Sequence, residues 1–279
     1  SNVFAILSVN NWEKELLNGL SLFGPVEHFN WDSPMDFFKK VDDWHSYRKD
    51  LNYRLIERFN EFYSADVNTL VFLYASDFTI TQETVAYLRR KNTCIVSFCW
   101  DDLLYYSGSI KGQTIGIKGL AFESDINLTM APEAIPIYNY FGNPCYFWKS
   151  ESIGNESGFP SLKVNDEFYV LFIGSKYGRR GKFINKIISS GVKVKCFGNG
   201  WGNAYLSDED MVEEIKKAPL VLGFSNVGYT KSITVIKGRD FEVPLCGGLY
   251  LTQHSNGLRL FYEEDEVLSY KNFNECLRK

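Results

Sequence analysis

Three stretches of the 279-residue chain combine residue types and spacings that can do chemistry. In Gly174–Gly181, GSKYGRRG, a glycine-rich turn joins an apolar run ending at Ile173 to a helical pattern. Free N–H groups and the positive dipole end at such a helix start favour a phosphate. Arg180 adds a guanidinium able to grip it with two parallel hydrogen bonds, with Ser175 and Arg179 beside it. The spacing is neither GxGxxG nor a P-loop, so a tight turn with exposed arginines is the competing reading. The second stretch is KGRDFEVPLCGGLYLT (237–252), in which Glu242 lies on the inner face of a helical pattern flanked by Lys237 and Arg239. A carboxylate only accepts hydrogen bonds, so it suits the two hydroxyls of a ribose; a surface acid is the alternative. Gly247 and Gly248 allow either close packing or a close phosphate approach. The third is Trp100-Asp101-Asp102, with Asp77 and then His45 behind it. One of these carboxylates can take the proton of an acceptor hydroxyl as a general base. Adjacent acids point in different directions, so at most one of Asp101 and Asp102 does so, and a cap on a helix starting at Leu103 is the structural alternative.

Such residues need elements to position them. Short apolar runs alternate with helical periods from end to end, the pattern of parallel sheets with crossover helices. In the first half the strand candidates are Phe4–Val9, Val26–Phe29, Thr69–Ala75, Cys94–Trp100, Ile126–Met130 and Cys145–Trp148. Helical periods fall at Trp12–Leu22, Tyr47–Tyr63, Gln82–Lys91 and Pro132–Phe141. The second half offers strands at Phe168–Ile173, Val192–Phe197, Leu220–Phe224 and Leu249–Thr252, with helices at 179–189, 208–217, 233–245 and 272–278. Between them the text turns to Ser, Gly, Asn, Pro and Glu, which reads as a linker. The expectation is an α/β chain with two Rossmann-like domains, 1–150 and 168–279, joined by a linker at 151–167. Open parallel sheets bind ligands beyond the carboxyl ends of their strands. That rule adds Ser8, Asn10, Asn11 and Trp100 on the first sheet as acceptor-side candidates. On the second it adds Gly174, Asn199, Trp201, Ser225, Asn226 and His254.

Composition narrows the class. Hydrophobic residues make up 45% and charged residues 23%, which fits a globular chain rather than a disordered one. No apolar run approaches the roughly 18–20 residues of a membrane span, and no basic-then-apolar leader is apparent. The six cysteines form no CxxC pair, so reduced thiols and a cytoplasmic location are expected, with neither a disulfide framework nor a zinc site. A net charge of −4 argues against coating nucleic acid by bulk charge. Yet Phe168–Ser207 carries seven basic residues and no acidic one, either a solvated helix face or an anion site. Ser207-Asp-Glu-Asp210 imitates a metal-binding DxD but is better explained as a helix-capping arrangement. Glu263–Glu266 reads as an exposed turn, and the three histidines lack metal spacing, so no metal is expected.

KGRDFEVPLCGGLYLT resembles the C-terminal signature of the CgeB-like branch of group 1 glycosyltransferases. FIGSKYGRRGKFI (172–184), FGNGWG (197–202) and ITQETVAYLRRKNTCIVSFCWDD (80–102) are similar to the same family. The resemblance implies the GT-B fold, two facing Rossmann-like domains with a cleft between them, the second holding a sugar nucleotide and the first an acceptor. It implies Glu242 on the donor ribose, Gly174, Arg179 and Arg180 at the diphosphate, and Asn199, Trp201 and Ser225 near the base. Many retaining members carry a second Glu eight positions earlier. Here that residue is Thr234, so an inverting displacement with a base in the first domain is favoured, with no obligatory cofactor or metal and a UDP-sugar as co-substrate. The chain as a whole also resembles phage DNA glucosyltransferases. That likeness implies UDP-glucose as donor and glucosylated 5-hydroxymethylcytosine in duplex DNA as acceptor, with local phosphate contacts from the 168–207 stretch and from Arg89, Arg90, Lys91, Lys111 and Lys118. An envelope polysaccharide or protein glycosyltransferase and a non-catalytic sugar-nucleotide binder are the alternatives. An epimerase of similar architecture is disfavoured because both halves read as GT-B.

Overall fold

Strand β1 (Asn2–Ser8, NVFAILS) is an uninterrupted apolar run, buried from Val3 to Ser8, as expected of a parallel strand covered on both faces. It lies between β2 (Val26–Trp31) and β3 (Thr69–Leu73), with Ala5 level with His28 on one side and Phe72 on the other. The computed structural model describes residues 1–8, 13–31, 44–100, 102–110, 113–114, 116–148, 167–203, 205–228, 230 and 233–279. It divides the chain into two compact units, Ser1–Ser150 and Glu151–Lys279.

In the first unit β3 is followed by β4 (Thr93–Cys99), a small antiparallel hairpin of β5 (Ser109–Ile110) and β6 (Gln113–Thr114), β7 (Ile126–Thr129) and β8 (Cys145–Phe147). The six-stranded parallel sheet has the order β2-β1-β3-β4-β7-β8. Helices α1 (Glu13–Ser21), α2 (Trp44–Phe62), α3 (Gln82–Leu88), α4 (Asp102–Tyr105), α5 (Lys118–Glu123) and α6 (Ile135–Tyr140) connect the strands. Successive strand residues face opposite sides, and the two cores follow from this. Phe4 and Ile6 pack with Leu51, Leu55 and Phe59 of α2, while Val3, Ala5 and Leu7 pack with Leu16 and Leu20 of α1.

The second unit repeats the plan. β9 (Val170–Ile173), β10 (Val194–Phe197), β11 (Leu220–Leu222), β12 (Tyr250–Gln253) and β13 (Leu268–Tyr270) form a parallel sheet ordered β10-β9-β11-β12-β13. Phe172 faces Ile184 and Ile187 of α7 (Arg180–Ser189). Leu171 faces Ile215 of α8 (Asp208–Lys217) and Val243 of α9 (Arg239–Leu245). A short helix, α10 (Phe273–Arg278), ends the chain, its start capped by Asn272. In both sheets the chain leaves the first strand toward one edge and later returns to the other side. The crevice where direction reverses lies between β1 and β3 and between β9 and β11, which is where such sheets bind ligands.

One local expectation changes and another holds. The helix expected over 233–245 exists only from Arg239. Ile233, Thr234, Val235 and Ile236 are four consecutive β-branched residues, which favour extended backbone; Thr234 bridges Asn226 and Val235 donates to the Ser225 carbonyl. Second, Ser207 accepts the N–H of Asp210 and donates to its carboxylate, the capping arrangement read from the sequence. Among the described residues no helix is long and apolar enough to cross a membrane.

Candidate functional site

In the second unit two loops at the carboxyl end of the sheet lock together. The Trp201 indole donates to the Gly174 carbonyl at 2.8 Å and packs edge-on against Phe172, and the Lys176 N–H donates to the Asn199 carbonyl. Gly198 has φ +115°, and a Cβ there would meet the Gly174 carbonyl oxygen at 2.7 Å. Only glycine fits at that crossing. Trp201 therefore braces the turn through its ring nitrogen, while Asn199 is exposed.

The braced turn sets Arg180 at the start of α7. Its Nη1 donates to the Ser175 carbonyl at 3.1 Å, and its guanidinium lies 4.0 Å from the Tyr177 ring centroid. Burial lowers its pKa, but a guanidinium stays charged throughout the physiological range. Among the described residues it forms no ion pair with a carboxylate. A half-buried cation without a counter-ion is costly unless an anion joins it. Arg180 lines a pocket of about 310 Å³ together with Arg179, Asn226, Gln253, Lys271 and an aromatic wall that includes Phe224. Gln253 and Lys271 were not among the sequence candidates. Gln253 sits one residue before the His254 that the strand-end rule picked out, and Lys271 follows β13, the short strand after the Glu263–Glu266 turn, whose end the strand-end rule was not applied to. His254 stands half-buried, its pKa lowered by burial and then by Lys271 and Arg259.

Glu242 is 9% exposed and paired with Arg239 one helical turn earlier, so it is a held inner-face carboxylate and not a surface acid. Asp240, which the sequence reading passed over, is more deeply buried. It accepts the Lys237 N–H at 2.7 Å and the Thr252 hydroxyl at 2.9 Å. Burial lifts its pKa to about 6 against the opposing pull of those bonds.

Two donor-side expectations, Ser225 and Gly248, are corrected. Ser225 is fully buried and donates to the Gln253 carbonyl at 2.5 Å, tying β11 to β12 instead of facing a base. Gly247, at φ +73°, follows the end of α9, and a Cβ on Gly248 would meet Ile215 at 2.8 Å and Val243 at 2.9 Å. Both lie at the end of α9 opposite Arg239, roughly 10 Å away for a helix of that length, and Gly248 takes the close-packing alternative.

In the first unit the candidate carboxylates are engaged internally. Asp102 is 0% exposed and accepts the Tyr138 hydroxyl at 3.0 Å, and burial, then Asp102, raises the Tyr138 pKa. Full burial withdraws Asp102 from contact with any acceptor. Asp77 accepts the Gly119 N–H at 3.2 Å, and Arg48 donates to its carbonyl. Burial raises its pKa while Gly119 and Arg48 oppose the shift. Asp77 thus supplies the cap that α5 lacks from its own N-cap residue. Trp100 stands half-buried against Tyr74 and Phe98. Asp101, Asn10, Asn11 and Lys111 lie outside the described residues. Several cations expected to meet phosphates are already paired: Arg89 with Asp125, Lys193 with Glu167 and Lys195 with Glu214.

Residues 179–279 match the family model described as glycosyl transferase-like, so the second unit carries a glycosyltransferase-like domain; the match does not reach down to a branch of that family. No curated protein sequence matches the chain. Among solved structures the chain is similar to a 2.2 Å crystal structure assigned as a UDP-N-acetylglucosamine 2-epimerase from Listeria monocytogenes. The TM-score is 0.50 at 12% identity, over 99% of this chain and 86% of that one. At that identity the likeness speaks for the fold alone, a two-domain α/β architecture of GT-B type. It also corrects one step of the sequence reading: two Rossmann-like halves do not weigh against an epimerase, because a protein so assigned shares them.

Proposed function

We propose that the chain is an inverting glycosyltransferase that moves glucose from UDP-glucose to a hydroxyl of glucosylated 5-hydroxymethylcytosine in duplex DNA. The observation that carries the donor half is Arg180, a half-buried cation beside the glycine turn and the first turn of α7, with no carboxylate partner among the described residues. In this reading the acceptor oxygen attacks the anomeric carbon, the bond to the diphosphate breaks, and the acceptor proton passes to Asp101. Arg179, Arg180 and the N–H groups of α7 meet the charge developing on the leaving UDP, so the step requires no catalytic metal. Glu242 accepts the ribose hydroxyls, exchanging part of its contact with Arg239 for them. Thr234, in the extended segment before α9, leaves no carboxylate where retaining relatives carry one.

The acceptor half rests on the resemblance in size and overall sequence character to phage DNA glucosyltransferases, which no curated sequence match backs, and on a basic face. Arg179, Lys182 and Lys186 follow one another at helical spacing and are exposed, unlike the paired Arg89, Lys193 and Lys195. DNA affinity resting on such contacts falls steeply with salt. The test is transfer of labelled glucose from UDP-glucose to plain, hydroxymethylated and glucosyl-hydroxymethylated DNA in parallel. Incorporation only into the last is the expected result. UDP release without incorporation into DNA moves the acceptor to a glycan or protein. UDP binding without release makes the chain a binder, and absence of UDP binding overturns the donor reading. Epimerisation of UDP-N-acetylglucosamine, run alongside, would replace transfer altogether.

A further inference from the structure

We propose that the pocket between α7 and the carboxyl ends of β11, β12 and β13 holds the hexosyl phosphate end of the donor, with Asn226 and Gln253 reading the hydroxyls of the transferred sugar. The proposal rests on the donor reading above and says which part of the donor lies where.

The residues assigned to the nucleoside, Glu242, Asn199 and Trp201, do not line this pocket, whereas the diphosphate residues Arg179 and Arg180 do. The pocket thus includes the residues assigned to the diphosphate and none of these three assigned to the nucleoside. A third cation, Lys271, lines it as well. Three cations suit a group bonded directly to phosphate, as a hexose is. A nucleobase stands one ribose further off.

The polar interior is unsatisfied. Asn226 Nδ2 and Gln253 Oε1 are shielded from solvent and have no hydrogen-bond partner among the described residues, although each lines the pocket. Buried polar groups left unpaired are destabilising, so their presence points to a ligand that pairs with them. One side chain offers a donor and the other an acceptor. A sugar hydroxyl is both donor and acceptor, so neighbouring hydroxyls satisfy the pair in either orientation of the amides. Phe183, Phe224 and Phe273 supply an apolar wall for the C–H face of a pyranose, with Phe183 5.3 Å from Phe224 and 5.4 Å from Phe273 between ring centroids.

The experiment compares binding of UDP and UDP-glucose to the wild-type chain and to Asn226→Ala and Gln253→Ala, with thermal unfolding followed for each. Each substitution should weaken UDP-glucose about tenfold, the loss of one or two hydrogen bonds, and change UDP affinity less than twofold. An equal loss for UDP would place the nucleoside in the pocket and overturn the proposal, as would unchanged affinity for UDP-glucose. Should Gln253→Ala fail to fold, Gln253→Met keeps the length without the polar group and gives the same readout. If the wild-type chain binds neither UDP nor UDP-glucose, the donor reading has failed on its own, and the pocket is assayed with glucose 1-phosphate. Binding that Gln253→Ala weakens then upholds the pocket, and no binding overturns it.

Discussion

The two units share a strand order around their switch points, yet they treat the candidate polar groups there differently. In the first unit Asp77 bonds the start of α5 and lies against Arg48, and Asp102 bonds Tyr138. In the second, Arg180 has no carboxylate partner among the described residues, and Asn226 and Gln253 each leave a shielded polar atom without a partner among them. Both halves keep shielded polar atoms without a hydrogen-bond partner among the described residues, but the candidate carboxylates of the first are bonded within their unit, whereas Arg180, Asn226 and Gln253 of the second meet at one pocket. Unmet polar groups that converge on one pocket, more than unmet groups or ionisable residues alone, single out the candidate crevice of the second unit.

The sharpest test of this contrast separates two neighbours. Asp101→Ala should lower turnover by about 10²–10⁴-fold, the usual contribution of a general base, with UDP-glucose affinity kept. Asp102→Ala should instead destabilise the fold by about 1–3 kcal/mol, because the buried Tyr138 hydroxyl loses its acceptor. Denaturant unfolding and steady-state kinetics on both variants check the pair, and reversal of the two outcomes would break the contrast. Arg180→Ala should reduce transfer by about 10²–10³-fold through lost stabilisation of the leaving diphosphate. Since the cation has no carboxylate partner among the described residues, its removal should leave thermal stability nearly unchanged. A variant that unfolds while binding UDP normally would make Arg180 a structural group. Glu242→Ala should weaken UDP binding about 10–100-fold by removing charge-assisted bonds to the ribose, as titration calorimetry would read.

The smallest effect concerns Asp240. Its folded-state pKa is raised to about 6 by burial, so between the ordinary carboxylate range and pH 6 the folded chain holds more protons than the unfolded one. Its contribution to stability is full below that range and is lost as pH rises through about 6. Unfolding midpoints measured from pH 4 to pH 7 should decline along this limb in the wild-type chain and flatten in Asp240→Asn.

Much of this architecture is legible in local pattern. The apolar run at Phe4–Val9 overlaps β1 from Phe4 to Ser8 and Phe168–Ile173 contains β9, because a strand buried on both faces must read as a continuous hydrophobic stretch. Ser207 before Asp210 caps α8, and the glycine turn of 174–181 leads into α7, because caps and turns are decided within a few residues. Local reading failed at 233–238, where an inner-face acid downstream invited a helix that β-branched residues refuse. It left two alternatives open at Gly248, where close contact with Ile215 and Val243 accounts for the glycine without any phosphate.

Residue type and spacing were therefore enough for the two parallel sheets and for the turn that presents Arg180, because both are settled by neighbours along the chain. Which polar groups are satisfied was settled by the folded chain alone. Asp77 meets Gly119 across 42 positions, Asp102 meets Tyr138 across 36, and Ser225 meets the Gln253 carbonyl across 28. Arg180, Asn226, Gln253 and Lys271 reach one pocket from four separate strand ends. Burial and partnership depend on these distant pairings, and no periodicity within a single element encodes them.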